Sequence, residues 1–282
     1  MNVYLIADSF LEDFVGGQAL NDEVLYEELN KLTPTKKVRC ADLDENTLFE
    51  DGAFFIVSNF MTLPQQAREI LKDRGNYIIV EHDYKFVRNR NPAQYPDFVV
   101  PADQFVSVDF YEGAKAIICQ SAFHKGIFDK NLNMGDKTIN LSGNLWSEFH
   151  LDLMRVLSKR EKKDSTTLIY SPYYLKGNHL ATQECLQKGW GYEYISNWQD
   201  YTSFLIELSK NKRFVFFPLT PETLSRTAIE AKMMNIEFVS NDFIGAAREA
   251  WFNLNGPDLV DIMVAKKAEI TTIILDYANH DL

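Results

Sequence analysis

The chain is 282 residues long, 46% hydrophobic and 24% charged, with a formal net charge of −11 at pH 7. That is enough chain for two α/β domains of ordinary size or one large one, and the composition is that of a globular protein, which excludes a disordered or fibrous one. The charge is uneven: residues 1–150 hold 14 Lys+Arg against 23 Asp+Glu, a poor footprint for nucleic acid, because phosphate contacts supply most non-specific affinity.

The amino terminus, Met1 to Asp8, lacks the basic stretch and long apolar core of a secretory leader. No segment reaches the ~18 consecutive apolar residues of a membrane span. A soluble, cytoplasmic protein is the expectation. Cys40, Cys119 and Cys185 are far apart, lie in apolar stretches and form no CxxC pair, so buried free thiols are expected instead of disulfides or a zinc site.

Along the chain, residues 2–8 form an apolar run ending at Asp8, a first parallel strand. Gly16-Gly17 follows, then a helical pattern from Leu20 to Leu32 with Asn21 and Asp22 as candidate caps. Strand-like runs recur at Lys37–Cys40, Ala53–Val57, Tyr77–Val80 and Ala116–Cys119, with helical segments at Pro64–Lys72 and Ser121–Asp129. Such alternation predicts a parallel, doubly wound sheet. Ligands of these sheets bind at the carboxyl ends of strands, which is where His82 and Asp83 fall, directly after Val80-Glu81. The loop from Tyr84 to Asp103, with Lys85, Arg88 and Arg90, is long enough to bind an acceptor. Asp42-Leu43-Asp44 has the DxD spacing of a metal–diphosphate motif, but it follows an early strand and is read as surface acid.

Leu151–Leu157 reads as an amphipathic helix, and residues 159–165, which open with Lys159-Arg160-Glu161-Lys162-Lys163, are the most polar stretch. The domain boundary is therefore placed there, dividing the chain into 1–160 and 161–282. The second half repeats the alternation: strand Leu168–Tyr170, helix His179–Lys188, strand Tyr192–Ile195, helix Tyr201–Leu208, strand Phe214–Phe217, helix Leu224–Met234, strand Glu237–Ser240, and helices through Asp276.

Within this half, an apolar strand ends in Pro218-Leu219-Thr220-Pro221, and Glu222 stands at the turn. Glu230 lies about two helical turns further on, so both carboxylates can face one cleft. Backbone N–H groups at Leu224, Ser225 and Arg226 open the helix, where a diphosphate is favoured. Two glutamates at this spacing also occur on ordinary surface helices. The strand–loop–helix–strand setting is what gives them the character of a site.

This block resembles the E-x7-E element of retaining nucleotide-sugar glycosyltransferases of family four, and two tandem Rossmann-like domains with parallel sheets and an interdomain cleft fit their GT-B architecture. The resemblance implies that residues 161–282 form the donor domain and 1–160 the acceptor side. It implies that Glu230 binds the ribose hydroxyls while Glu222 contacts the transferred sugar; an ionised carboxylate accepts two hydroxyl protons, which suits a cis-diol. Ser171 to Gly177 is similar to the family's G-R-x4-K-G loop. Lys176-Gly177 matches, Ser171 stands where an arginine is expected, and Arg226 is the candidate replacement cation for the donor diphosphate. Thr223 and Ser225 stand at two family glycines. His82-Asp83 resembles a His-Asp pair near the donor sugar, which makes His82, Asp83 and Glu222 the catalytic candidates. Gly16-Gly17 resembles the glycine-rich loop that approaches sugar and phosphate; it is no GxGxxG fingerprint, which argues against a dinucleotide oxidoreductase.

The resemblance thus implies a retaining hexosyl- or pentosyltransferase, metal-independent and without a cofactor beyond its donor, a nucleoside diphosphate sugar and first of all a UDP-sugar. The acceptor would be a hydroxyl of a glycan or other small molecule. Glu81 to Tyr84 with Arg90-Asn91-Pro92, together with the small size, also look like bacteriophage glycosyltransferases, some of which modify 5-hydroxymethylated DNA bases. That alternative gives Arg88, Arg90 and the 159–163 run a purpose, although the acidic first half argues against it, and would place the protein in a bacterium or a phage-infected host. A reading from another class is a sugar- or nucleotide-binding protein without catalysis. Nothing in the sequence specifies the oligomeric state.

Overall fold

The computed structural model describes residues 2–196 and 198–279, and the chain divides into two compact units. One runs up to Leu145 and resumes at Lys266; the other is Trp146–Ala265.

The first unit contains strands β1 (Asn2–Ala7), β2 (Thr35–Arg39), β3 (Ala53–Val57), β4 (Tyr77–Val80), β5 (Ile117–Cys119) and β6 (Thr138–Asn140). Its helices are α1 (Gly17–Asn30), α2 (Glu45–Leu48), α3 (Gln65–Arg74), α4 (Val108–Gly113) and α5 (Ala122–Asn131). The strands form one sheet in the order β2-β1-β3-β4-β5-β6, every pairing parallel. Ala-Phe-Phe-Ile-Val of β3 and Tyr-Ile-Ile-Val of β4 are buried throughout, as strands covered on both faces must be. Alternate side chains feed two cores. Tyr4, Phe55 and Tyr77 join Phe60, Phe110 and Phe128 on one face, whereas Leu5, Ile56 and Ile78 join Leu25 and Leu29 on the other.

The second unit contains α6 (Glu148–Ser158), β7 (Lys163–Ile169), α7 (Asn178–Lys188), β8 (Tyr192–Ile195), α8 (Tyr201–Leu208), β9 (Asn211–Phe216), α9 (Arg226–Met233) and β10 (Glu237–Ser240). Its sheet has the order β10-β9-β7-β8, again all parallel. A final helix, α10 (Gly256–Asn279), starts in this unit, and from Lys266 onward belongs to the first, where Ile270, Ile274 and Ala278 enter the core with Leu5 and Leu25.

The α/β class and parallel sheets agree with the sequence reading, but the unit boundary differs. The division falls after Leu145, not at 160, because α6 packs on α8 and α9. The polar run that suggested a linker is a turn that finishes helices: Lys162 Nζ donates to the Leu157 carbonyl at 3.3 Å, and Arg160 Nη1 to that of Ile206 at 3.5 Å and to Ser209 Oγ at 3.3 Å. Cations suit these carbonyl-rich helix ends. Helix α1 starts at Gly17, so Asn21 and Asp22 lie inside it, buried, instead of capping it. Cys40, Cys119 and Cys185 are buried free thiols. Among the described residues no helix is long and apolar enough to cross a membrane.

Because Ile274 is 1% exposed, Ile274→Ala is expected to destabilise the first unit by about 3 kcal/mol, measured as a lowered urea midpoint.

Candidate functional site

In the second sheet β7 leads to β8 on one side while β9 lies on the other, so the topology reverses between β7 and β9. Such a reversal opens a crevice at the strand carboxyl ends. Two loops meet there. The Leu219 N–H donates to the Leu175 carbonyl at 2.8 Å. Gly177 has φ +65, and a Cβ on it would stand 1.8 Å from the Phe217 carbonyl oxygen, so only glycine fits this approach.

That contact sets Lys176 Nζ 2.7 Å from Glu222 Oε1. The charge of Glu222 holds the Lys176 ammonium above the ordinary lysine range. Glu222 itself sits in an extended segment: its N–H donates to the Phe243 carbonyl at 2.8 Å and its carbonyl accepts from Gly245 N–H at 3.0 Å. A Cβ at Gly245 would lie 2.3 Å from the Thr223 carbonyl oxygen. The expected helix from Leu224 therefore begins two residues later, at Arg226. Leu224 is fully buried in the turn and its carbonyl accepts from Ala246 N–H at 2.9 Å. Ser225, where the resemblance places a glycine, has φ +74, the left-handed region that favours glycine.

Glu230, 2% exposed, lies one turn into α9. Its Oε1 accepts from Trp146 Nε1 at 3.0 Å and from the Tyr201 hydroxyl at 2.6 Å, with Arg226 Nε at 3.5 Å. Among the described residues Oε2 accepts no hydrogen bond. Burial, reinforced by Glu230, pushes the Tyr201 hydroxyl well above the usual phenol range, so it remains a donor. The expectation that Arg226 is a diphosphate cation needs correction. Its guanidinium lies 4.4 Å from the Trp146 ring centre, 9% of the residue is exposed, and it braces Glu230.

In the first unit the corresponding reversal falls between β1 and β3. Gly16, in extended conformation, caps α1 and Gly17 is its first residue. At the carboxyl end of β4, His82 Nε2 is 3.3 Å from Asp22 Oδ1. Gln120 Oε1 accepts from Asn144 at 3.3 Å, which turns its amide toward His82 Nδ1. The network makes Nδ1 the acceptor and leaves the proton on Nε2, facing Asp22. Burial works against the Asp22 charge, yet His82 keeps this carboxyl below the usual range. The sequence reading missed Asp22, taking it for a cap.

Lys85, expected to bind the acceptor, is 1% exposed and ion-paired to Glu81 and Asp83, so burial removes it from that role. Glu81 also accepts from the Tyr111 hydroxyl. Arg90, half exposed, pairs with Asp83 at 3.2 Å, while Arg88 is exposed. Behind them His124 is sealed from water, its Nδ1 accepting from Gln120 N–H at 3.2 Å and its Nε2 donating to the Asp83 carbonyl at 3.1 Å. Burial lowers its pKa to about 3. The Asp42-Leu43-Asp44 segment is surface acid, with Asp44 capping α2 by accepting from Thr47 N–H at 2.8 Å.

Two parallel-sheet α/β units of this kind constitute the GT-B fold. An E. coli trehalose-6-phosphate structure bound with UDP-2-fluoro glucose has a TM-score of 0.59 at 11% identity, covering 99% of this chain and 97% of that one. An alpha,alpha-trehalose-phosphate synthase (UDP-forming) from Burkholderia vietnamiensis gives 0.58 at 10%, over 98% and 93%, and Anabaena Alr3699/HepE in complex with UDP-glucose gives 0.50 at 12%, over 99% and 94%. At such identities the likeness is one of fold. No protein-family model and no curated protein matches the sequence.

Glu230→Ala is expected to destabilise the second unit by about 3 kcal/mol, because it strands the buried Arg226 charge, and Glu230→Gln by clearly less; denaturant titration compares them. For His124 the unfolded chain takes up a proton near pH 6.5 and the folded one near pH 3. Its contribution is therefore complete above pH 6.5 and declines by about 1.4 kcal/mol per pH unit as the pH falls through that window. His124→Gln should flatten the acid limb of stability against pH.

Proposed function

We propose that this protein is a retaining glycosyltransferase, moving a sugar from a nucleoside diphosphate sugar, UDP-linked in the first instance, to a hydroxyl acceptor. The observation that carries the reading is the carboxyl edge of the second sheet. There Glu230, almost sealed from water, keeps one oxygen free of protein donors among the described residues, and a lysine–glutamate pair stands on the adjoining loops. Further support comes from neighbours of like fold that hold UDP-2-fluoro glucose or UDP-glucose.

In this reading Glu230 Oε2 accepts a ribose hydroxyl, Lys176 and the N–H groups at Ser225 and Arg226 receive the diphosphate, and Glu222 takes a hydroxyl of the transferred sugar. From the first unit, His82 and Asp83 are assigned to the transferred sugar, Gly16 and Gly17 to a close backbone approach, and Arg88 and Arg90 to the acceptor. The acceptor oxygen bonds to the anomeric carbon on the face from which the diphosphate leaves. The carbon–oxygen bond to the diphosphate breaks with its electron pair, and the hydroxyl proton passes to a diphosphate oxygen. The products are a glycoside and a nucleoside diphosphate. No protein nucleophile and no metal ion enter this scheme. A glycan or other small hydroxyl compound is the favoured acceptor. A modified-DNA acceptor has less support, because Lys85 is buried, Arg90 is paired and the 159–163 run finishes helix ends.

Thermal unfolding with UDP, UDP-glucose, ADP-glucose and GDP-mannose tests the reading. A ligand at 100 times its Kd adds about 2.7 kcal/mol of stability, so at least one should raise the midpoint by several degrees. Glu230→Gln should lose most of that shift, and sugar release or transfer should persist in EDTA. No shift with any nucleotide rejects the reading. A shift without turnover leaves a binding protein, and activity lost in EDTA but restored by manganese corrects the metal assignment.

A further inference from the structure

Of the two candidate donor-site cations, only Lys176 stands outside a buried cluster. Ser171 supplies no charge, and Arg226 is locked between Trp146 and Glu230. An incoming diphosphate therefore depends on Lys176, whose ammonium is 2.7 Å from Glu222. Any phosphate that reaches Lys176 also comes beside that carboxylate. The backbone of Glu222 is tied on both sides to Phe243 and Gly245, and the Gly245 position has no room for a side chain, so the carboxylate can leave only by rotation of its own side chain. Its side chain is 18% exposed, so water screens the encounter only in part.

Resting on the donor-site reading above, we propose that Glu222 is the specificity-determining residue of this site, favouring an intact nucleoside diphosphate sugar over the free nucleoside diphosphate. The two ligands differ at the group that meets Glu222. In the sugar nucleotide the second phosphate is esterified, carries a single negative charge, and brings sugar hydroxyls that can donate to a carboxylate. In the free diphosphate the same phosphate is terminal, carries a charge between about −1.5 and −2 near neutral pH by analogy with other phosphate monoesters, and has no donor to offer. Glu222 is thus stabilising toward the substrate and repulsive toward the product. The same residue that receives the sugar also promotes departure of the leaving nucleotide, and Lys176 returns to it when the site empties.

Isothermal titration at pH 7.5 with UDP and with UDP-glucose, on the parent, Glu222→Gln, Glu222→Ala and Lys176→Met, tests this. The parent should prefer UDP-glucose. Both Glu222 variants should bind UDP about fivefold tighter than the parent does and UDP-glucose more weakly, reversing the preference, while Lys176→Met weakens both ligands. Unfolding midpoints of the free variants close to the parent's establish that the fold is intact. If the parent binds both ligands but neither Glu222 variant gains affinity for UDP, this proposal is overturned and the donor-site reading stands. If the parent binds neither ligand, the donor-site reading falls and takes this proposal with it.

Discussion

A carboxylate that is 2% exposed keeps its place in a protein only if donors are arranged around it, and in the second unit that requirement organises the carboxyl edge. The partners of Glu230 come from three places in the chain: Trp146 just before α6 and Tyr201 at the start of α8 donate hydrogen bonds, and Arg226 one turn earlier on α9 supplies the ion pair. Helices α6, α8 and α9 are thereby oriented by a polar cluster as well as by apolar packing. Buried charge adds little net stability compared with apolar packing. What it supplies is orientation, since a carboxylate whose Oε1 takes both hydrogen bonds has a fixed direction for Oε2.

Backbone contact does the same for the loops. Gly177 lies against the Phe217 carbonyl and Gly245 against that of Thr223, so Lys176 and Glu222 are positioned by main chain on both sides. The first unit uses a comparable device. Glu81 is buried with Lys85 and Tyr111, and desolvation is opposed by charge partners that hold the partly exposed Asp83 carboxyl below the usual range. His124, neutral behind the same loop, ties α5 to the Asp83 carbonyl. In each unit a loop at a strand carboxyl end is braced from behind by buried polar groups, leaving few internal rearrangements open to it.

The parallel sheets were legible because β3 and β4 are unbroken apolar runs, too short for a helix of ordinary length and too apolar for a strand with one face in water. Thr-Ile-Asn of β6 is too short and too polar to announce a strand. Residues 159–165 read as a linker because polarity marks exposure, and a helix end followed by the exposed amino end of a strand is as polar as a linker. The Glu222 and Glu230 spacing was visible, but the positive φ of Ser225 was not, and it delays the helix from Leu224 to Arg226. Trp146 and Tyr201 are separated from Glu230 by 84 and 29 positions, and no local pattern reports such partnerships. Lys85 looked like a free cation because sequence gives charge and not burial, although its four-residue spacing from Glu81 is itself a signal for pairing.

The discontinuity of the first unit bears on how the protein is made. Its core is incomplete until Ile270, Ile274 and Ala278 join strands synthesised far earlier, and the whole of Trp146–Ala265 is translated in between. At ribosomal speeds that interval is on the order of ten seconds. During it the second unit can close on itself, whereas the older half of the chain waits with one apolar face of its sheet covered only in part, by α1. The domain that is begun first is finished last, and the nascent chain is most exposed to aggregation and to chaperone capture in the stretch of synthesis before residue 266 emerges.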